Sequence, residues 1–386
     1  MTITDPAFSL GIEEEYLIVD PETRELVADP PAGLLKACEE TLGSQVGPEF
    51  LRCQIEVGTP VCATIHDARR ELTRLRGTIA REAKRHGCRM VAASTHPLSS
   101  WQPQKTTPKE RYEQLRTDIG LPAERLLICA MHIHVGMEDA DLRIDLMNQM
   151  RYFLPHLLAL TTSSPFWEGR ATHLKSYRLS VFNELPRTGI PEPFDSYSDF
   201  ESHLSVLTST GMIEDGTKLW WDIRPSARFP TVETRICDLP TRMEDSLTIA
   251  ALCASLFRRL WRLKRQNARW RNYKTVLLNE NRWIAARYGM EQGLIDFGRR
   301  ARVPFAELID EMIELVHEDA VALGCLAEVE NARDIIARRP SADHQLATYH
   351  AAMKAGANQH EALQAVVDWL IEETVVGVPV EAPVSV

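Results

Sequence analysis

Eight cysteines are scattered through 386 residues without one CxxC pair. Neither a zinc ribbon nor a dithiol redox centre is encoded, and reduced thiols in a cytoplasmic protein are expected. No apolar run reaches the length of a membrane span, and the N-terminus has no secretory h-region. Basic residues are in deficit, 44 Lys+Arg against 54 Asp+Glu for a net charge of −10. That argues against non-specific nucleic-acid binding but not against anionic small molecules, because bound metal ions can reverse the local sign. GxxxxGK[ST], a GxGxxG following a strand, and GxSxG are all missing, which excludes the P-loop, Rossmann and nucleophile-elbow solutions. There is no internal repeat and no low-complexity tract. The remaining mix, 44% apolar and 25% charged, is that of a globular protein with a sizeable core.

What is present begins at residues 10–19, LGIEEEYLIV, β-branched and aromatic in the second half and closed by Asp20-Pro21. In a strand, Glu13 and Glu15 project from one face and Glu14 from the other. A solvated edge strand would tolerate the pair. A buried one needs positive charge, and a divalent cation is the simplest candidate. Polar pairs at i, i+2 return four times, as Gln54/Glu56, His132/His134, Asp222/Arg224 and Glu233/Arg235, with Ile55, Ile133 and Ile223 between members. Each has a plainer reading: half-buried hydrogen-bonded histidines, an ion pair beside Trp220 and Trp221, a surface cross-strand couple. Five plain readings together explain less than one shared polar face. Oxygen ligands outnumber nitrogen ones and no cysteine joins them, which favours Mg²⁺ or Mn²⁺ over structural zinc. Arginine beside carboxylate-held magnesium is what phosphoryl transfer requires.

Along the chain, a turn over 21–25, a helix over 33–42 and a second strand over 49–60 are expected. A helix over 64–86 follows, then a short strand over 89–93 and a polar loop over 99–122 enclosing a helix at 109–118. A strand within 126–137 precedes a helix over 142–162 kinked at Pro155. Beyond the 163–193 loop come a helix over 198–209 and strands over 219–225 and 231–238. From Glu244 onward the period is 3.6, with helices at 245–263, 268–288, 304–323, 326–338, 341–355 and 359–374. The fold class is therefore α+β: a curved, mostly antiparallel sheet with helices on its outer face and a helical C-terminal half. One catalytic domain over 1–386 is expected, strand-rich over 8–240 and helical over 241–374, with a mobile tail over 375–386.

Gly11-Ile12-Glu13-Glu14-Glu15, the run from Gln54 to Pro60, Ser94-Thr95-His96-Pro97, the run from Met131 to Gly136, the run from Trp221 to Pro225, and Val232-Glu233-Thr234-Arg235 occur in that order, with Arg287-Tyr288-Gly289 beyond. Together they resemble the carboxylate–amine ligase family, glutamate–cysteine ligase type 2, from about residue 8 to about 370. The resemblance implies a sheet like that of glutamine synthetase. It implies Glu15, Glu56, His132 and Glu233 as divalent-metal ligands with Glu13 and Glu49 as partners, and His134, Arg224 and Arg235 as phosphate contacts. Arg235, Arg224 and Glu13 become the catalytic candidates, Glu13 as the base for an amine. Arg178, Asn183 and His96 become candidates for the amino-acid substrate.

The implied reaction has two steps: ATP phosphorylates a carboxylate, the γ-carboxyl of glutamate, and an amine, that of cysteine, displaces phosphate to leave an amide and ADP. ATP and Mg²⁺ or Mn²⁺ are the cofactors, and small molecules, not nucleic acid or membrane, are the partners. A homo-oligomer is compatible with the apolar C-terminal helices. Two other readings compete: a phosphotransferase that stops at a phosphorylated carboxylate or guanidinium, and a non-catalytic relative that senses a nucleotide or amino acid.

Overall fold

Alternation in the first motif becomes β1 (Leu10–Val19), the strand around which a seven-stranded sheet is built in the computed structural model, which describes residues 5–380. β2 (Val46–Pro48), β3 (Gln54–Gly58), β4 (Arg89–Val91) and β5 (Met131–Gly136) join it, together with the hairpin strands Ile223–Pro225 and Thr231–Thr234. Across the sheet the order is Ile223–Pro225, Thr231–Thr234, β5, β1, β3, β2, with β4 paired to the C-terminal end of β1. Every pairing is antiparallel, so one face can be packed while the other stays wet.

The packed face carries Ile12, Tyr16, Ile55, Val57, Ile133, Val135 and Val232, all buried. Behind it lie α1 (Ala32–Leu42), α2 (Ile65–Arg85) and the long helix Met243–Arg265. α2 starts where its sequence says it should. Thr64 accepts from Asp67 N at 3.1 Å and Asp67 accepts from Thr64 N at 3.1 Å, a capping box of about 1 kcal/mol. Ala68, Leu72, Leu75, Ile79 and Ala83 then line its buried stripe, and Gly87, at φ +76°, turns the chain away.

Glu14 faces this apolar side, as alternation requires. Arg76 of α2 grips it with Nε and Nη2, each at 2.6 Å, and Ser246 of the long helix donates at 2.6 Å. Both charged side chains are 0% exposed. Arg76 also donates to the carbonyls of Pro240 and Thr241 at 3.0 and 2.8 Å. Strand, helix and the start of the helical half thus share one satisfied charge pair.

Several sequence expectations need correction. Residues 142–162 are two helices, Ala140–Met150 and Leu154–Thr161; Pro155 sits in the first turn of the second, where its missing N–H costs nothing, so it starts a helix and does not kink one. The strand expected from 49 begins at Gln54, and Glu49 belongs to the turn between β2 and β3. The 163–193 loop contains the helix Arg178–Phe182, the helix expected from 268 starts at Thr275, and that over 326–338 is two. In the C-terminal tail Val378 is buried, and the Pro379 carbonyl lies so near Gly77 of α2 that a Cβ there would approach it to 2.9 Å; residues 381–386 lie outside the described set. No helix among the described residues is long and apolar enough to cross a membrane.

Candidate active site

The wet face of the sheet is the floor of a cavity of about 390 Å³. Strand register sets its side chains in rows. Glu15 stands opposite Glu56, Glu13 opposite His132, and Glu233 opposite both His134 and Arg224. Between them are glycines: Gly11 faces His134, Gly58 faces Glu13 and Gly47 faces Glu56. A Cβ at Gly11 would come within 3.4 Å of the His134 Cβ. Charged groups and missing side chains alternate, which leaves room above the floor for a ligand.

At one end of this floor, Glu13 accepts from His132 Nδ1 at 3.1 Å, and its other oxygen lies 3.5 Å from His134 Nε2. The His134 Nδ1 meets Thr231 Oγ1 at 2.9 Å, which aims Nε2 at the carboxylates, where it is buried without a hydrogen-bond partner. Glu233 is gripped by Arg224 at 2.9 and 3.2 Å and by Arg235. At the other end, Glu15 accepts from Ala130 N at 2.8 Å and Glu49 from Phe50 N at 2.6 Å, while Glu56 stands opposite Glu15 in the strand register.

The two ends differ electrostatically. Burial raises the pKa of Glu13, but the hydrogen bond from His132 and the imidazole of His134 beside it overcome this and hold it well below the usual carboxylate range. Burial likewise raises Glu233, and Arg235 and Arg224 more than reverse it. His132 is pushed down to about 4 by burial and by Arg235, so at neutral pH it is uncharged. For Glu15 the balance goes the other way: burial, then the charge of Glu49, outweighs Arg178, the Ala130 N–H and Arg235 and pushes it up to about 8. Burial and the same neighbour raise Glu56 well above its ordinary value. Carboxylates crowded this closely, with too little positive charge beside them to offset burial, are the donor set a divalent metal ion takes.

The donor set fits such an ion. One atom each from Glu13, His134 and Glu233 lies within 4.8 Å of the others, the unpartnered His134 Nε2 points among them, and Glu15, Glu49 and Glu56 supply a second oxygen-rich group. It is His134, not His132, that stands in the close cluster; His132 is occupied as the hydrogen-bond partner of Glu13. The low pKa of Glu13 also runs against the role of base expected of it, since a weakly basic carboxylate takes protons poorly at neutral pH.

Ten residues singled out from the sequence line this one cavity: Glu13, Glu15, Glu49, Glu56, His132, His134, Arg178, Arg224, Glu233 and Arg235. Arg178 is 1% exposed, donates to the carbonyls of Ile236 and Arg235 at 3.3 and 3.1 Å, and keeps its Nε unpartnered. Gln54 also lines the cavity, though its amide is spent on the Ile128 carbonyl at 2.6 Å. Asp222 does not reach it: Arg282 holds it at 2.6 and 3.1 Å, an ion pair near Trp221. Asn183 accepts from the same Arg282 at 3.0 Å and is outside the lining. His96 is buried elsewhere, its Nδ1 accepting from Ser99 N at 2.9 Å and Leu98 N at 3.2 Å, with burial pushing it down to about 3. It closes a turn.

Sequence reasoning missed Arg111 and Tyr112, from α3 (Glu110–Ile119), and Lys218, Trp220, Arg228 and Phe229. The length and polarity of the 99–122 loop signalled the first two. Tyr112 packs edge-on against Phe50, 5.6 Å between centroids, which sets α3 over the acidic end.

The sequence matches Glutamate-cysteine ligase family 2 (GCS2) over residues 9–368. The chain belongs to that family. Like others of the glutamate–cysteine ligase family 2, it is a carboxylate–amine ligase relative over nearly its whole length. It is 54% identical over 375 residues to a Rhodospirillum rubrum protein named "Putative glutamate--cysteine ligase 2", covering 96% of each chain. A Paracoccus denitrificans protein of the same name is 52% identical over 369 residues, covering 96% of this chain and 98% of the other. Among solved structures, the glutamate–cysteine ligase of Francisella tularensis in complex with AMP superposes with a TM-score of 0.65 at 14% identity, over 96% of this chain and 93% of that one. A bifunctional glutathione synthetase from Pasteurella multocida gives 0.65 at 15% identity, over 95% of this chain and 52% of that one. At such identities these structures speak for the fold, which is the α+β antiparallel-sheet architecture expected from the sequence.

Proposed function

We propose that this member of the family is an ATP-dependent ligase that joins the γ-carboxyl of glutamate to the amine of cysteine through an acyl phosphate, releasing ADP and phosphate. The observation that supports it most is the division of one cavity floor into crowded carboxylates at one end and arginine-bound Glu233 at the other. Glu15, Glu49 and Glu56, and separately Glu13, His134 and Glu233, would hold divalent cations. Bound there, Mg²⁺ or Mn²⁺ neutralises polyphosphate charge and fixes its orientation.

The chain's own residues account for the rest. Arg235, buried against Glu233 with its Nε unpartnered, is placed to stabilise charge on the group in transit, while Arg224, which donates to Glu233 and to the Thr217 and Leu219 carbonyls, keeps one N–H for a phosphate oxygen. Arg178 presents an unpaired N–H to a substrate carboxylate. Tyr112 and Phe50 wall off the acidic end, which limits the access of water to a reactive acyl phosphate. The amine, arriving as ammonium, must lose a proton before it attacks the acyl phosphate.

The test is an ADP-release screen over amino-acid pairs with Mg²⁺ or Mn²⁺, the amide identified by mass spectrometry. ADP release dependent on both glutamate and cysteine, with γ-glutamylcysteine as product, is expected. Release that needs no amine would make the protein a phosphotransferase instead.

A further inference from the structure

One wall of the cavity presents an apolar side chain that neither fold nor chemistry has yet used. Phe229 is 55% exposed and, of the exposed large apolar side chains among the described residues, is the one that lines the cavity. It sits in the tight connection between the hairpin strands Ile223–Pro225 and Thr231–Thr234. That tip is fastened. Ser226 N donates to the Thr231 carbonyl at 3.0 Å, Thr231 N to the Phe229 carbonyl at 2.8 Å, and Met137 N of the chain following β5 to the Pro230 carbonyl at 2.8 Å. Ser226 Oγ accepts from the backbone N–H groups of Arg228 and Phe229 at 3.3 Å each. The ring is therefore displayed by a held loop and not by a fraying one.

Its neighbours specify what it could meet. The ring stands edge-on to His134, 6.1 Å between centroids at 88°, beside the imidazole whose Nε2 faces Glu13 and Glu233. Next in the chain, Arg228 lines the same cavity with no carboxylate within 4.0 Å among the described residues, whereas Arg224 and Arg235 are both engaged by Glu233. Lys218, in the same lining, has Glu214 at 4.0 Å, and both Lys218 and Arg228 act at longer range on Asp215. A flat apolar surface next to cations not clamped in close ion pairs, at the edge of an oxygen-rich ion site, matches a molecule with an aromatic base at one end and phosphates at the other.

We infer that Phe229 is the platform on which the base of the nucleotide stacks, and that Arg228 contacts its phosphates. This rests on the ligase reading above and adds to it the placement of the nucleotide: base outward over the hairpin tip, phosphates inward toward His134 and Glu233. The amino-acid substrate is then left the opposite end, under α3.

Calorimetric titration with ADP and with inorganic tripolyphosphate, both with Mg²⁺, tests it. Phe229→Ala should weaken ADP binding about tenfold, or about 1.4 kcal/mol, while leaving tripolyphosphate unchanged; Phe229→Tyr should restore ADP. Arg228→Ala should weaken both ligands. Thermal unfolding of each variant confirms that the fold is retained, as expected for exposed positions. Phe229→Ala binding ADP as tightly as wild type, or losing both ligands equally, would overturn the platform while leaving the ligase reading intact. A wild-type protein that binds no nucleotide would bring down the ligase reading and this inference with it.

Discussion

Glu15→Gln should make the metal-free protein more stable and the enzyme inactive. In the fold, Glu15 titrates near 8 against an ordinary value of 4.5, because burial and Glu49 penalise its charge. A folded-state pKa raised above the unfolded one means that the native state binds the proton more tightly. Stability is then present below the unfolded pKa and is lost as pH rises from 4.5 to about 8. Each unit is worth about 1.4 kcal/mol, so the bound is about 5 kcal/mol. Water in the open cavity screens the charge and brings the expected effect to about 2 kcal/mol. Glutamine keeps the shape and can still accept from Ala130 N, but it carries no charge. At roughly 2 cal/mol/K per residue of unfolding entropy, about 2 kcal/mol is about 2–3 °C in Tm. In EDTA at pH 8 the variant should melt that much above wild type, and near pH 5 the gap should nearly close. Millimolar Mg²⁺ should raise the wild-type Tm by mass action and the variant's far less, and ADP release should be lost. Equal melting at pH 8 in EDTA, with equal responses to Mg²⁺, would show that Glu15 neither stores repulsion nor binds the ion.

Other perturbations probe the remaining parts. Arg235→Lys keeps the charge and loses the fork, so kcat/KM should fall at least about tenfold; unchanged kinetics would make Arg235 structural. Arg76→Ala leaves the Glu14 carboxylate buried and unpaired, and chemical denaturation should show a loss of about 3–5 kcal/mol, whereas a loss under about 1 kcal/mol would mean that water reaches Glu14. His96→Ala should lower Tm through the lost turn contacts without moving the KM for either amino acid; a raised KM would return His96 to the substrate site.

The sequence made the sheet legible because its side-chain period is two. Glu13 and Glu15, or His132 and His134, cannot share a strand without sharing a face, and one face of an antiparallel sheet gathers all such pairs. Asp222 escaped that logic because the strand is interrupted there and Arg282, sixty positions away, claims its carboxylate. Loops defeat periodicity altogether. Arg178 reached the cavity on a short helix that the sequence did not announce, while His96 and Asn183, equally polar, did not. Pro155 was visible but ambiguous, since proline both interrupts a helix and opens one, and only packing decides. Which histidine faces the acids depended on Thr231, a partner two strands from β1 that nothing in the HxH motif identifies.

The buried contact of Glu14 with Arg76 and Ser246, and of Arg76 with the carbonyls of Pro240 and Thr241, bears on how this protein can be dissected. A fragment ending near residue 240 would retain acid and base but lose the hydroxyl and one carbonyl that complete their coordination, and it would uncover the apolar back of the strand that bears Glu13 and Glu15. Each piece expressed alone should therefore fail to unfold as a cooperative unit in chemical denaturation. A lesion at Ser246 would loosen the wall from behind without touching any group that meets a substrate.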